Sequence, residues 1–164
     1  MEKERLEYTI SRLDHYYDSV NNKTAVYIAI NTFVTGGAIT LLTQTKEIWV
    51  QEFWLLFCLS AIVVLGIISL IVLALASMPY LSPKEKIDSL YYFASIGRKE
   101  RKAFFEASKE QGKTDNLKDL RNQVHLLSRG LTKKFNKLSW ACGLLILQFA
   151  LLAPFTILLI LVTS

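Results

Sequence analysis

FWLLFCLSAIVVLGIISLIVLALASMPYLSP, residues 53–83, decides the fold class of this chain. These 31 residues contain no charged side chain. A helix rises about 1.5 Å per residue, so about 20 apolar residues are enough to cross the roughly 30 Å of hydrocarbon in a bilayer. The stretch is therefore long enough for a membrane-spanning helix that tilts or extends past the bilayer.

Two further stretches also lack charge, at residues 24–45 and 138–164, with 22 and 27 residues. Of the 164 residues in the chain, 52% are hydrophobic and only 20% are charged. The mean hydropathy is +0.31. This composition excludes a soluble globular enzyme, a secreted disulfide scaffold and a disordered tail. It predicts an all-α integral membrane protein with three transmembrane helices and with N-terminal and central cytoplasmic helical extensions.

The spacing of apolar residues predicts how these segments join. A stripe from Leu6 to Val20, at steps of three and four residues, predicts a leader helix that continues into the first span. A nearly heptad stripe from Leu117 to Leu138 predicts a second helix, which begins after a turn at residues 112–116 and continues into the third span. The predicted segments are a cytoplasmic amphipathic helix (1–23), transmembrane helix 1 (24–45), a periplasmic loop (46–52), transmembrane helix 2 (53–81), a basic cytoplasmic helical region (82–137) and transmembrane helix 3 (138–162).

Lysine and arginine are distributed unevenly outside the spans. Residues 1–23 carry 4, residues 46–52 carry 1, and residues 84–137 carry 14 against 7 acidic residues. Because cytoplasmic loops carry an excess of these cations, we expect the long basic segment and the N-terminus to be cytoplasmic. The short link and the C-terminus are then expected on the outer side.

The sequence contains no pattern typical of an active site. The two histidines, His15 and His125, have no nucleophile or metal ligand at a useful spacing, and there is no phosphate-binding glycine loop. We therefore predict no enzyme, no cofactor and no metal site. The spans contain no Asp, Glu, Lys or Arg, which argues against an ion-coupled transporter. A passive channel lined by hydroxyls and amides remains compatible with them.

The first span is the most polar of the three. Asn31, Thr35 and Ala38 fall on one helical face, and Thr32 lies nearby. One interpretation is that small and hydroxyl side chains let the helices pack closely. The other is that all four residues line a pore, which requires several copies because three spans cannot enclose a water path. On the second interpretation we expect a homo-oligomer and favour a tetramer.

Basic residues of the central region form two groups, for which two interpretations stand. One is positive-inside topology with contact to anionic membrane lipids, which best suits the juxtamembrane Lys133, Lys134 and Lys137. The other is binding of a phosphate-bearing ligand, either an anionic nucleotide or a short oligonucleotide. The candidate ligand-binding residues are Arg98, Lys99, Arg101, Lys102, Arg121, His125 and Arg129.

Two local patterns and the overall layout resemble the Pycsar-type transmembrane effectors of bacterial antiviral defence. One pattern is RLDHYY at residues 12–17, followed by an Asn-Lys pair before the first span. The other is YFASI at residues 92–96, followed by DLRNQVHLLS at residues 119–128 and by KKF at residues 133–135. The family favours Asp-x-Lys before the first span, and Asn21 stands here in place of that acid.

The resemblance implies a membrane effector controlled by a nucleotide signal from a neighbouring nucleotidyltransferase. Opening would permeabilise the bacterial inner membrane and halt phage replication by abortive infection. Pycsar effectors respond to cyclic pyrimidine mononucleotides, and the related Hailong arrangement pairs a small oligomeric channel with a nucleotidyltransferase that makes DNA oligomers.

The size of the central region bears on the ligand. Its 54 residues are too few for a cyclic-nucleotide-binding domain, and its basic helical surface suits a polyanion better than a single phosphate, so we favour an oligonucleotide-type signal. The alternative to a channel is a non-conducting membrane scaffold or assembly subunit with a lipid-binding basic cytoplasmic surface. Ion flux separates these classes.

Overall fold

The computed structural model describes residues 1–44, 53–78 and 89–163. These residues form five α-helices and contain no strand, which confirms the all-α class. The predicted loop at residues 46–52 and the predicted end of the second span lie outside the described residues. The helices are α1 (Glu2–Gln44), α2 (Phe53–Ser77), α3 (Phe93–Ile96), α4 (Arg101–Glu110) and α5 (Lys113–Thr163).

Three of these helices are long and apolar enough to cross a membrane. The candidate spans lie within Glu2–Gln44, Phe53–Ser77 and Lys113–Leu161. They correspond to the three uncharged stretches of the sequence. A helix satisfies its backbone hydrogen bonds internally, which is the condition for placing a polypeptide segment in hydrocarbon.

α1 and α5 are both continuous. α1 runs for 43 residues, so the amphipathic leader and the first span form one helix, as predicted. α5 runs for 51 residues and joins the cytoplasmic apolar stripe to the third span. The predicted turn at residues 112–116 is wrong, because α5 begins at Lys113. The Asn116 N–H already donates to the Gly112 carbonyl at 3.0 Å, and Asp115 in the first turn favours a helix N-terminus.

The chain packs into two compact units, the first of which comprises residues 1–19 and 79–132. In this unit the Tyr17 hydroxyl of α1 donates to the Leu127 backbone carbonyl of α5 at 2.9 Å. Four leucines of the two apolar stripes are buried within the same chain, which removes their apolar surface from water. The buried leucines are Leu6, Leu13, Leu120 and Leu131.

The second unit comprises residues 20–78 and 133–164. Large apolar side chains cover its outside, where Phe33 is 84% exposed and Trp140 is 73% exposed. Such a surface is suited to lipid, which is as apolar as these side chains. One face of α2 is buried at alternating steps of four and three residues, and its members are Leu55, Leu59, Ile62, Gly66, Ser69, Leu73 and Ala76.

Candidate functional site

Three polar side chains from the predicted spans meet inside the second unit. Asn31 and Thr35 come from α1 and Gln148 from α5, and they are 0%, 3% and 0% exposed. Gln148 Nε2 donates to Thr35 Oγ1 at 3.0 Å and to the Ile62 carbonyl of α2 at 3.2 Å. The Thr35 hydroxyl donates in turn to Asn31 Oδ1 at 2.8 Å. This set of three side chains, the polar cluster, ties three helices together.

Gly66 of α2 permits this arrangement. A Cβ atom at this position would lie 2.0 Å from Thr35 Oγ1 and 2.6 Å from Gln148 Nε2, far inside van der Waals contact. By contrast, a Cβ at Gly143 would meet no described atom within 4 Å. The absence of a side chain at Gly66 is therefore what lets α1 and α5 approach α2 closely at the polar cluster.

Two atoms at the ends of the polar cluster have no hydrogen-bond partner within the described part of the chain. They are Asn31 Nδ2 and Gln148 Oε1. An unsatisfied buried polar group costs about 1–3 kcal/mol. Ser69 of α2 differs from them, because its buried hydroxyl donates to the Ala141 carbonyl at 3.1 Å. The polar cluster thus leaves hydrogen-bonding capacity unused in the packed chain.

The four predicted pore-lining residues lie in different environments. Asn31, Thr35 and Ala38 are buried within a single chain, whereas Thr32 is exposed. The contacts of Asn31 and Thr35 fit the first interpretation, close packing between helices. Pore lining stays a prediction. Sequence reasoning missed Gln148, although it is the single amide side chain in the third uncharged stretch.

The predicted ligand-binding residues all belong to the first unit. The Arg101 guanidinium lies over the ring of Phe105, 5.6 Å from its centroid, which favours one orientation of the cation. All seven residues are exposed except Lys99, which is half-buried. At the start of α4 lie Arg98, Lys99, Arg101 and Lys102. Along α5, at four-residue steps, lie Arg121, His125 and Arg129.

Arg121 already has an anionic partner in the chain. Its Nε and Nη2 atoms each donate to one carboxylate oxygen of Glu2, in the first turn of α1, at 2.9 Å. A guanidinium binds phosphate through the same paired geometry. The two side chains are 57% and 39% exposed, so the pair contributes only about 0.2–1 kcal/mol. Sequence reasoning missed Glu2 because 119 residues separate it from its partner.

Buried polar groups fix the segment before α3 to α5. Ser89 Oγ is fully buried and accepts hydrogen bonds from Gln123 Nε2 at 2.8 Å and from two following backbone N–H groups at 3.1 Å. Asp119 Oδ2 accepts the Leu90 N–H at 2.8 Å, whereas Asp119 Oδ1 has no partner in the part of the chain that the structure describes. These contacts hold Ser89 and Leu90, which come shortly before YFASI, against Gln123 and Asp119 of DLRNQVHLLS.

The three juxtamembrane lysines also differ from one another. Lys134 is only 7% exposed, and its Nζ donates to Asn21 Oδ1 at 3.1 Å. Burial, and then the charge of Lys137, lowers the pKa of Lys134. Lys133 is exposed, and Lys137 Nζ donates to the Leu75 carbonyl at 2.9 Å. The expectation that all three lysines contact lipid headgroups therefore does not fit Lys134.

The comparison with known families covers both candidate regions. The Pycsar effector protein domain model matches residues 5–163. The chain belongs to the Pycsar effector family. No curated protein and no solved structure matches this chain. The resemblance seen in the sequence is thereby confirmed, and this Pycsar effector is a membrane protein of anti-phage defence.

The matched range relates the sites to the family domain. The polar cluster and both basic groups of the Pycsar effector lie inside residues 5–163, so they are parts of the domain that defines the family. Glu2 lies just before the matched range. The carboxylate that holds Arg121 is thus a feature of this chain outside the family match.

Proposed function

We propose that this Pycsar effector forms an oligomeric, ion-channel-like pore that permeabilises or depolarises the bacterial inner membrane under the control of a nucleotide signal. The polar cluster carries the proposal. Buried amide and hydroxyl groups where three candidate spans pack together are costly, and polar residues in such segments commonly mark a transport path or a site of function. Family membership supplies the defence context.

The proposed path requires a homo-oligomer. The close packing at Gly66 fills the space between α1, α2 and α5 of one chain, so additional copies must contribute walls. Thr32, Gly36 and Gly37 of α1 are exposed, and small residues let a neighbouring helix approach closely. We favour a tetramer with α1 nearest the axis. Mass photometry of the detergent-solubilised protein tests this assembly, and a monomer would reject it.

The proposed ligand is an anionic nucleotide or short oligonucleotide made by a neighbouring nucleotidyltransferase. Its phosphates would bind the two basic groups, where arginine offers paired hydrogen bonds. At Arg121 a phosphate would displace the Glu2 carboxylate, since both anions need the same face of the guanidinium. The Glu2 carboxylate would therefore act as a weak internal competitor.

Salt dependence separates the two ligand classes. An oligonucleotide that several cations neutralise releases counterions, so its affinity should fall steeply between about 50 and 200 mM salt. A cyclic mononucleotide carries one phosphate and should give a shallow slope. We expect the steep slope, because the exposed cations are spread along two helices rather than gathered around one anion.

The proposed location is the bacterial inner membrane with the N-terminus in the cytoplasm. The 14 basic residues at positions 84–137 support this orientation. A cysteine introduced at Gln51 should react with a membrane-impermeant thiol reagent added from the periplasm, with the parent protein as background. A cysteine at Ser108 should be spared, and the opposite labelling pattern would contradict the proposed orientation.

Ion flux across proteoliposomes tests the channel function. Flux should change when cyclic CMP, cyclic UMP or a short single-stranded oligodeoxynucleotide is added. In infected cells, membrane-potential dyes should report depolarisation while defence is active. If inserted, oligomeric protein gives no flux under any of these conditions, the non-conducting scaffold with a lipid-binding basic surface becomes the better account.

A further inference from the structure

The direction of hydrogen bonding in the polar cluster isolates its two unmet atoms. Gln148 Nε2 donates to Thr35 Oγ1 and to the Ile62 carbonyl, so the amide donors of Gln148 are used. The Thr35 hydroxyl donates to Asn31 Oδ1, so the amide oxygen of Asn31 is used. What remains is a donor on Asn31 and an acceptor on Gln148, both on side chains that are 0% exposed. Backbone groups of a helix interior are already paired with each other, so water is the natural partner for the two remaining atoms.

Packing at Gly66 and hydration of the polar cluster exclude each other. Even a single added carbon at Gly66 would overlap Thr35 and Gln148, and the two unmet atoms are themselves buried while the helices remain in contact. Separation of α2 from α1 and α5 would admit water to the unmet atoms. The packed chain thus leaves polar atoms unsatisfied, and a state with these helices apart would let water satisfy them.

We infer that Asn31 and Gln148 become hydrated when the path opens, and that their unmet hydrogen bonds in the packed state bias the protein toward opening. This inference rests on the proposed channel function and adds to it a gating residue on α5, Gln148. The energetic cost of the two unsatisfied groups is present in the packed state and is removed when the path opens. Each group should shift the ratio of open to closed protein by about 5- to 150-fold.

The test replaces each orphaned amide with an apolar side chain of similar size. Gln148→Leu and Asn31→Leu, reconstituted separately in proteoliposomes, should each lower flux by at least about 5-fold in the condition that gives flux in the wild type. Ser69→Ala is the matched control, because it removes a buried hydroxyl from the same helix contact whose hydrogen bond is already made. It should keep flux near the wild-type level.

Three results bear on the inference in different ways. Equal or greater flux in both leucine variants would overturn it, and so would an equally large loss of flux in Ser69→Ala. If Gln148→Leu does not insert, Asn31→Leu decides alone. Absence of flux in the wild-type protein refutes the proposed function itself, which distinguishes that failure from a failure of the gating residues.

Discussion

Replacing Gly66 by alanine should loosen the three spanning helices where they lie closest. The new methyl carbon would start 2.0 Å from Thr35 Oγ1, and ordinary contact begins at 3.4 Å. Either the Thr35 hydroxyl retreats by about 1.4 Å or α2 moves away from α1. The first response breaks the hydrogen bonds that Thr35 makes with Asn31 and Gln148, and the second opens the packing.

The expected size of the effect follows from these contacts. Overpacking a close-packed site costs about 1–3 kcal/mol. Two lost hydrogen bonds in a membrane add about 1 kcal/mol together. Alanine gains about 1 kcal/mol over glycine in helix propensity, but Gly143→Ala in α5 gains the same without a steric clash. Compared with that control, Gly66→Ala should therefore lower the free energy of unfolding by about 1–4 kcal/mol, with the upper end expected if the Thr35 hydroxyl retreats.

Thermal unfolding in detergent gives the measurement. A difference of that size should separate the midpoints of the Gly66→Ala and Gly143→Ala proteins by roughly 2–16 °C. Adding Thr35→Ala to Gly66→Ala removes the clashing hydroxyl, so the double variant should recover part of the loss through non-additive coupling. Equal midpoints for the two single variants would refute the close contact at Gly66.

Two further predictions concern exposed and juxtamembrane charges. Asn21→Asp should place a carboxylate next to Lys134 Nζ and raise thermal stability. In the parent protein the pKa of Lys134 is lowered, so the free energy of unfolding rises as the pH increases from that pKa to the usual 10.5. Thermal midpoints measured across alkaline pH should show a smaller rise in the variant. A parallel pH dependence in both proteins would contradict that assignment. Glu2→Gln should increase the affinity of the protein for a short single-stranded oligodeoxynucleotide by about 1.5- to 5-fold, because an exposed ion pair contributes about 0.2–1 kcal/mol. Glu4→Gln is the control, because it removes the same charge from α1 without freeing Arg121. Equal affinities in the two glutamine variants, measured by fluorescence anisotropy, would argue against competition at Arg121.

The helical architecture could be predicted because its signals are local. Hydropathy over about 20 residues identifies a span, and three- and four-residue spacing identifies the helices at either end of it. The continuity of α1 followed from the short polar gap between its leader and its apolar part. The turn at residues 112–116 was mispredicted because Gly112 resembles a helix end, while Asp115 and Asn116 serve equally well in a first helical turn.

The candidate sites could be predicted only in part. Polarity marked Asn31 and Thr35, but Gln148 stood alone in an apolar stretch and offered no periodic signal. The positive charge of Arg121 was visible, whereas its partner Glu2 was not, because the pairing joins the two ends of a long chain. In each case the sequence identified one member of a contact and left the other member open.

By itself, the sequence determined which segments of this protein are suited to lipid and which to water. Three stretches without charge are suited to lipid, and a segment with 14 basic residues is not. Those preferences add up over neighbouring residues, so they can be predicted without knowledge of the tertiary structure. The tertiary structure decided which polar groups meet. Side chains advance by about 100° per residue around a helix, so a small rotation of α1 or α5 would exchange Asn31 and Gln148 for lipid-facing neighbours. Contacts between helices fix that rotation, among them the hydrogen bonds of Gln148 and the close approach of Thr35 to Gly66.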